Sequence, residues 1–415
     1  PMRDGVRLAT DIYRPKNAEG PLPVIFWRTP YNFSDNRTPD PSYPSALVKF
    51  AHDAVKNGYA FVVQNERGRF FSEGEWEVLG RPRTDGYDAL SWIADQPWSD
   101  GNVGTLGCSS TAEWQMSLAA MKHPAHKAAV PMAAGAGIGR VGLFYEQGNF
   151  YRGGAIMLPM ASWFYGNTNN QRPSLPSGTT DEDLRRLGKY YDLAAKMPEV
   201  DWGKAFYHLP IQDLMKSVDG PEGLFEKAVR RGPDHEDWYK GGLYHDNEDY
   251  HVPTLWMNSW YDLSVGPNLA LFNHVREKAS DSYVRENQYM VIAPTLHCQF
   301  YRLQDNHVIG ERELGDVDFG LDEMLLSFFD RFLKGRDSGF EDHYPRIRYY
   351  AMGGDKEGQW REATQWPPED ARLVPYNLDS QESANSLFGD GDLTTYKPGA
   401  QDGASDTYTY DPTNP

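Results

Sequence analysis

The segment Asn102-Val103-Gly104-Thr105-Leu106-Gly107-Cys108-Ser109-Ser110-Thr111-Ala112 decides the fold, because it predicts a strand, a sharp turn and a helix in direct succession. A strand that passes straight into a helix leaves room only for small side chains beside the turn. Gly107 meets this demand before the turn and Ala112 after it, although Thr111 stands where the second glycine of G-x-S-x-G is expected. The segment therefore predicts a nucleophile elbow with Ser109 at its tip.

Predicted strands and helices alternate on both sides of this segment. The strands are expected at residues 7–15, 23–31, 59–68, 102–107 and 128–135, and the helices at residues 46–58, 85–96 and 111–122. Such alternation is typical of a mostly parallel sheet with helices on both faces, so we expect an α/β fold. The first strand alternates apolar and polar residues and ends at Pro15, which favours a place at the sheet edge.

The pattern changes twice along the chain, which predicts four segments. We expect the first part of the α/β core over residues 1–139, a helical cap without clear strands over 140–245, the second part of the core over 246–340 and the beginning of a β domain over 341–415. Within these segments we expect helices at 181–197, 223–231 and 322–335, and strands at 252–260, 288–297, 346–354, 372–380 and 406–412.

Composition excludes several classes of function. The formal net charge of -18 disfavours binding to nucleic acid or to an anionic membrane, so we expect neither partner. No run of about 18 apolar residues predicts a membrane span, so we expect a soluble protein and leave its compartment open between the cytoplasm and a secreted or periplasmic location. The only two cysteines, Cys108 and Cys298, cannot build a disulfide framework or a cysteine-based zinc site, and they leave the redox compartment open.

Two later residues have the positions of an acid and a base. Asp262 follows the predicted strand at 252–260, and His297 follows the apolar run at 289–296. The order serine, aspartate, histidine and the positions at the ends of strands fit a hydrolytic site at the carboxyl edge of an α/β sheet. We therefore expect Ser109 as nucleophile, His297 as general base and Asp262 as the acid that orients the imidazole. Asp262 alone would be a turn aspartate.

The tetrahedral intermediate of acyl transfer needs two hydrogen-bond donors. The backbone N–H of Ser110 is the first candidate, because it follows the nucleophile. Tyr31 is the second candidate, because it lies at the end of the strand at 23–31, where the Thr29-Pro30 step holds the backbone extended. By sequence alone, a half-buried loop aromatic is the preferred interpretation of Tyr31.

The elbow also has a purely structural interpretation, a serine-rich N-cap on an ordinary crossover helix. Ser110 and Glu113 spell the capping box S-x-x-E, which is compatible with Ser109 as nucleophile. Glu113 is also placed to bind a substrate ammonium near the nucleophile, but the role at the helix start is favoured.

The quoted residues resemble those of a family of hydrolases that includes cocaine esterase, α-amino acid ester hydrolases, glutaryl cephalosporin acylases and X-Pro dipeptidyl peptidases. The similar stretches are MRDGVRLATDIYRP (2–15), RTPYN (28–32), QNERGRFFSEGEW (64–76), GCSSTAEWQ (107–115) and NSWYD (258–262), together with the late histidine. The resemblance implies an α/β-hydrolase core with a helical cap, a C-terminal jelly-roll domain, the triad Ser109, Asp262 and His297, and the Tyr31 hydroxyl as oxyanion donor.

Two departures from this family limit what is implied. Relatives often have tyrosine directly after the nucleophile and glycine two residues later, where this chain has Ser110 and Ala112, so the acyl pocket is not carried over. The β domain of relatives continues past the segment that DTYTYDPTNP (406–415) resembles, so we expect an incomplete β-sandwich or jelly-roll domain with exposed strand edges.

These patterns predict a serine hydrolase that cleaves an ester or an amide through an acyl-enzyme, with esters favoured. The alternatives are an X-Pro dipeptidyl peptidase, a β-lactam side-chain acylase, or a catalytically silent binding scaffold of the same fold. We expect a small-molecule substrate and neither a metal nor an organic cofactor, and the sequence leaves a homo-oligomer open. Trp163, Tyr165 and Glu113 are candidates for the substrate pocket.

Overall fold

The computed structural model describes residues 1–31, 33, 46–145, 150–152, 155–168, 178–187, 197–232, 235–240, 242–303, 305–336, 338–353, 358–381, 383–397, 399 and 405–411. The strands in these ranges are β1 (Thr10–Tyr13), β2 (Leu22–Thr29), β3 (Ala60–Asn65), β4 (Ser99–Cys108), β5 (His126–Met132), β6 (Ile138–Val141), β7 (Phe144–Tyr145), β8 (Tyr151–Arg152), β9 (Ala155–Ile156), β10 (Tyr244–His245), β11 (Thr254–Tyr261), β12 (Gln288–Leu296), β13 (Val308–Ile309), β14 (Arg312–Glu313), β15 (Ile347–Ala351), β16 (Gln359–Ala363), β17 (Asn377–Asp379) and β18 (Asp392–Thr394).

The helices in the same ranges are α1 (Ala46–Lys56), α2 (Tyr87–Ala94), α3 (Ser110–Ala119), α4 (Pro159–Thr168), α5 (Asp181–Leu187), α6 (Trp202–Ala205), α7 (Leu214–Ser217), α8 (Leu224–Arg230), α9 (Asp237–Lys240), α10 (Val265–Lys278), α11 (Ser282–Glu286), α12 (Leu321–Leu333) and α13 (Phe340–His343). None of the helices in the described ranges is long and apolar enough to cross a membrane.

A nine-stranded sheet forms the centre of the core, in the order β1-β3-β2-β4-β5-β11-β12-β15-β16. The seven strands from β3 to β15 run parallel, whereas β1 and β16 pair antiparallel at the two edges. The predicted parallel sheet is thus confirmed, as is the edge position of the first strand.

Helices cover both faces of this sheet, because its inner strands are apolar on both sides. In β2, Ile25 and Trp27 pack in the cluster that contains residues of α1 and α12, whereas Val24 and Phe26 pack in the cluster that contains residues of α2 and α3. Each such side chain, fully buried, contributes about 1.5–3 kcal/mol to folding. α10 completes the second face.

The cap lies between β5 and β11 and has an aromatic core of its own, which includes Phe150, Phe164 and Trp238. Its ends are joined, since β6 pairs in parallel with β10. The expectation of a cap without strands is wrong, because the short strands β6 to β10 lie in this part of the chain. These strands have two to four residues, too few to show an alternating pattern. α5 covers the first part of the helix predicted at 181–197, and residues 188–196 lie outside the described ranges.

Two expectations about the C-terminal segment are corrected. The strand predicted at 346–354, which we placed in the β domain, is β15, and it pairs in parallel with β12 in the main sheet. Residues 406–411 of the last predicted strand form no strand. Among the described residues, β17 and β18 pair only with each other, and none after Tyr350 is buried. Large apolar side chains there, such as Phe388, are thus exposed.

The turn after β4 tolerates no side chain at Gly107. A Cβ atom there would lie 1.9 Å from the Thr111 carbonyl oxygen, well inside van der Waals contact. Since both groups are backbone in a buried turn, neither moves without opening the start of α3.

We therefore predict that Gly107→Ala destabilises the protein by more than about 3 kcal/mol, the upper range of ordinary overpacking. Gly20→Ala is the matched control, because nothing lies within 4 Å of its Cβ position. Thermal unfolding followed by circular dichroism measures both variants. Equal melting temperatures for the two would contradict the proposed crowding at the turn.

Candidate active site

The predicted site residues follow four parallel strands at their carboxyl ends. Tyr31 comes shortly after β2, Ser109 after β4, Asp262 after β11 and His297 after β12. Because these strands run in the same direction, the four residues lie along one edge of the sheet. The strand order reverses at β2, because β3 lies on one side of it and β4 on the other. Open α/β sheets form a crevice at such a point.

Ser109 has the strained backbone of a nucleophile elbow. Its φ of 58° and ψ of -135° lie outside the helical and extended regions, so the side chain leaves the turn in a direction that neither structure provides. Its N–H donates to the Met132 carbonyl oxygen at 3.0 Å, which fixes the turn to β5. Ser109 occupies the N-cap of α3, yet its side chain makes no capping hydrogen bond. The hydroxyl is therefore available for chemistry.

Thr111 explains how the turn closes without a second glycine. Its hydroxyl donates to the Cys108 carbonyl oxygen at 2.7 Å and accepts the Cys108 N–H at 2.8 Å. The threonine side chain thus bonds back onto the end of β4 and caps groups that the tight turn leaves unpaired.

The capping-box interpretation of Ser110 and Glu113 is wrong. α3 begins at Ser110, so the N-cap is one residue earlier than the pattern requires. Glu113 is only 6% exposed and lies in the first turn of the helix, next to the predicted catalytic groups. Burial raises the pKa of Glu113 to about 8, against the lowering effect of His297, and the nearby Glu66 and Asp262 also raise it.

Asp262 and His297 form a hydrogen-bonded pair, with 2.8 Å between Oδ2 and Nδ1. The Asp262 side chain is 2% exposed and the His297 side chain 41%. Since a carboxylate only accepts, the hydrogen bond places a proton on Nδ1 and leaves Nε2 as the basic nitrogen of the neutral ring. Partial burial lowers the pKa of His297, but the hydrogen bond and charge of Asp262, with a smaller effect of Glu113, outweigh it and raise the pKa above its ordinary value.

A disulfide joins the residues beside the serine and the histidine. Cys108, directly before Ser109, is bonded to Cys298, directly after His297, with 5.9 Å between their Cα atoms. No hydrogen bond joins the Ser109 hydroxyl to the imidazole in the described structure, and such bonds often tighten only when substrate binds. The disulfide nevertheless confines the two residues to one place.

Sequence reasoning missed this disulfide, although a signal was present. If Ser109 and His297 meet in one site, their chain neighbours must also be close. One cysteine directly before the serine and one directly after the histidine therefore predict a bond as soon as the triad is accepted.

Tyr31 lies beside the start of α3. Its hydroxyl donates to the Ser110 Oγ at 3.5 Å and accepts the Trp163 indole N–H at 3.2 Å. As the first residue of α3, Ser110 has no preceding helical turn to accept its own N–H. The Tyr31 hydroxyl and the Ser110 N–H are therefore two neighbouring donors beside the nucleophile, the arrangement that an oxyanion requires.

The loop that carries Tyr31 is fixed by side chains at the end of β3 and directly after it. Asn65 Nδ2 donates to the Tyr31 carbonyl oxygen at 2.7 Å, and Arg69 Nε donates to the Pro30 carbonyl oxygen at 2.7 Å. The Tyr31 N–H donates to the Thr29 hydroxyl at 3.0 Å. These bonds join the QNERGRFF (64–71) segment to the RTPY (28–31) segment.

The structure separates the two cap residues that we proposed for the pocket. Trp163 lies at the site, through its hydrogen bond to Tyr31. Tyr165 is 5% exposed, packs against Trp202 and donates to the Pro198 carbonyl oxygen at 3.0 Å. It therefore lies in the aromatic core of the cap, and its place in the pocket wall stays a prediction.

The hydrogen bond between Asp262 and His297 predicts how His297 titrates, which can be measured without a substrate. Because Asp262 supplies the main raising effects, His297 should titrate above about 6.5, and Asp262→Asn should move its titration to lower pH. Histidine ring signals in NMR measure both values, with His297→Gln for assignment. His245 is the internal control, because burial lowers its pKa and Asp262 does not contribute. An unchanged His297 titration in Asp262→Asn would contradict the pairing.

Comparison with known proteins agrees with this geometry. The X-Pro dipeptidyl-peptidase family (S15 family) matches residues 4–299, and the X-Pro dipeptidyl-peptidase C-terminal non-catalytic domain matches residues 338–415. Cocaine esterase of Rhodococcus sp. (strain MB1 Bresler) is 30% identical over 417 residues, which covers 100% of this chain and 67% of that protein.

Two solved structures share the fold. An α-amino acid ester hydrolase has a TM-score of 0.66 at 23% identity, over 88% of this chain and 57% of the other. An aminopeptidase from the marine sediment archaeon Thaumarchaeota archaeon has a TM-score of 0.68 at 22% identity, over 97% of this chain and 62% of the other. The chain thus spans about two thirds of the cocaine esterase and less of the two solved structures. These matches confirm the predicted resemblance and fold: the chain belongs to the X-Pro dipeptidyl-peptidase (S15) family of α/β hydrolases.

Proposed function

We propose that this chain is a serine hydrolase that transfers an acyl group from a small carboxylic ester to water. One observation carries the proposal. The Asp262–His297 pair lies at the same sheet edge as Ser109, whose strained turn presents an uncapped hydroxyl. The name of the 30%-identical relative, cocaine esterase, supports an ester as substrate.

In the first half of the reaction, the Ser109 Oγ attacks the ester carbonyl while His297 Nε2 takes its proton. Asp262 keeps Nδ1 protonated and stabilises the imidazolium that forms. The negative charge on the carbonyl oxygen is stabilised by the Ser110 N–H and the Tyr31 hydroxyl, which Trp163 orients. The imidazolium then protonates the leaving alcohol, and the acyl group stays on Ser109.

In the second half, His297 removes a proton from water, and the resulting hydroxide equivalent attacks the acyl-enzyme. The same donors stabilise the second intermediate, and Ser109 leaves with the proton from His297. Since the base must be neutral, kcat/KM should rise with pH through the raised pKa of His297.

An amide or peptide bond is the second candidate, and Glu113 favours it. This buried carboxyl lies one helical turn from Ser109 and interacts electrostatically with His297 and Asp262. Its high pKa keeps it largely protonated at neutral pH while the site is free of cations. A substrate ammonium would favour the carboxylate and thereby be bound, as an amino-terminal peptide or an α-amino acyl group requires.

The triad makes the first prediction on activity. Ser109→Ala should abolish labelling by a fluorophosphonate and lower kcat about 10⁴-fold or more. Tyr31→Phe should keep the labelling site and lower kcat about 10²- to 10³-fold, since it removes one oxyanion donor. Hydrolysis of p-nitrophenyl acetate measures both. A folded protein that never labels would instead be a silent scaffold.

The preference for substrates with a free α-amine tests the role of Glu113. Glu113→Gln keeps the shape but loses the charge, so the preference for a substrate with a free α-amine over its N-acetyl analogue should fall about tenfold to hundredfold. The kcat/KM ratio of the two substrates is the measurement. An equal change for both substrates would exclude Glu113 as the amine-binding group and with it the observation that favours the amide or peptide candidate.

A further inference from the structure

The Cys108–Cys298 disulfide connects two segments that are held very differently. On the side of Cys108, the nucleophile turn is fixed by the packing of Gly107 against Thr111, by the Thr111 hydroxyl and by the Ser109 N–H bond to β5. This side is buried, since Cys108 is 8% exposed. The nucleophile is thus rigid without the disulfide.

On the side of Cys298 the base itself is more exposed, whereas Phe300, two residues after Cys298, is again buried in the core. β12 ends at Leu296, which is 42% exposed, and the His297 side chain is 41% exposed. In the described structure, the hydrogen bond to Asp262 is the one that the imidazole makes. Cys298 itself has a φ of 57°, so the chain turns sharply away from the sheet directly after the base. The disulfide is therefore the covalent link that holds this turn to the nucleophile.

We infer that Cys108 and Cys298 are positioning residues, whose disulfide holds the His297 imidazole in reach of the Ser109 hydroxyl. This inference rests on the proposed function and deepens it. Nucleophile and base are each one peptide unit from the bond, so its loss lets the histidine loop move relative to the fixed serine. The oxidised protein is the fully active form.

Reduction of the bond is a balanced two-electron step. A thiolate of an added dithiol attacks the Sγ of Cys298, the more exposed of the two cysteines, and Cys108 leaves as a thiolate. The second thiol of the reagent then attacks the mixed disulfide, and Cys298 is released. The products are two protein thiols, after proton uptake, and a disulfide in the reagent.

The first test separates positioning from general stability. In Cys108→Ala/Cys298→Ala, kcat for p-nitrophenyl acetate should fall about tenfold to hundredfold with little change in KM, as expected for a small misplacement of a catalytic group. The same double substitution in a His297→Ala background should leave the residual kcat unchanged, because no base remains to be positioned. Loss of stability alone would lower kcat by the same factor in both backgrounds.

Several outcomes overturn the inference. An unchanged kcat well below the melting temperature, or an equal fold-loss in both backgrounds, shows that the bond only stabilises the fold. Two free thiols in the air-oxidised, denatured protein, titrated with a disulfide reagent, show that the bond does not form. If the wild type neither labels with fluorophosphonate nor hydrolyses esters, the proposed function itself fails, which is a distinct result.

Reversible reduction is the second test and needs no variant. Treatment with dithiothreitol should expose two thiols and lower kcat by the same factor as the double substitution, and reoxidation should restore it. The double variant is the matched control and should not respond to the reagent. A reduced wild type with full kcat and two free thiols would contradict the positioning role.

Discussion

The common direction of β2, β4, β11 and β12 is the constraint on which the rest of the site depends. Parallel strands bring their carboxyl ends to one edge of the sheet, so residues far apart in sequence become neighbours. Tyr31, Ser109, Asp262 and His297 each follow one of these strands, and no single segment of the chain carries more than one of them. The helices on both faces fix this register, because a slip by one residue would move the side chains that pack against α1 and α12 onto the face of α2 and α3.

Both the cap and the core contribute residues to the oxyanion side of the site. Trp163, on α4 of the cap, donates to the Tyr31 hydroxyl and packs against Trp76 with 5.7 Å between ring centroids. The Arg69 guanidinium lies 4.9 Å from the Trp76 ring while its Nε holds the Pro30 carbonyl. These contacts link the oxyanion tyrosine to an element of the cap.

Much of the fold and the triad could be predicted from sequence, because both have local signals. A continuous apolar run predicts a buried strand, and a polar residue directly after such a run predicts a group at the sheet edge. The errors arose where a short pattern had two interpretations. Ser110 and Glu113 matched a capping box. In the structure the N-cap is Ser109, and Glu113 lies close enough to His297 and Asp262 to interact with them electrostatically. Residues 346–354 matched a β domain, but β15 had an open edge of β12 to pair with.

The sequence by itself determined the α/β class, the elbow at Ser109 and the identities of Asp262 and His297, because periodicity and turn chemistry are properties of neighbouring residues. Only the tertiary structure decided which distant residues meet. These contacts are the disulfide between Cys108 and Cys298, the hydrogen bond from Trp163 to Tyr31 and the packing of Tyr165 in the cap core. Those contacts join residues separated by long stretches of chain. Their distances follow from strand order and side-chain packing, which no local pattern specifies.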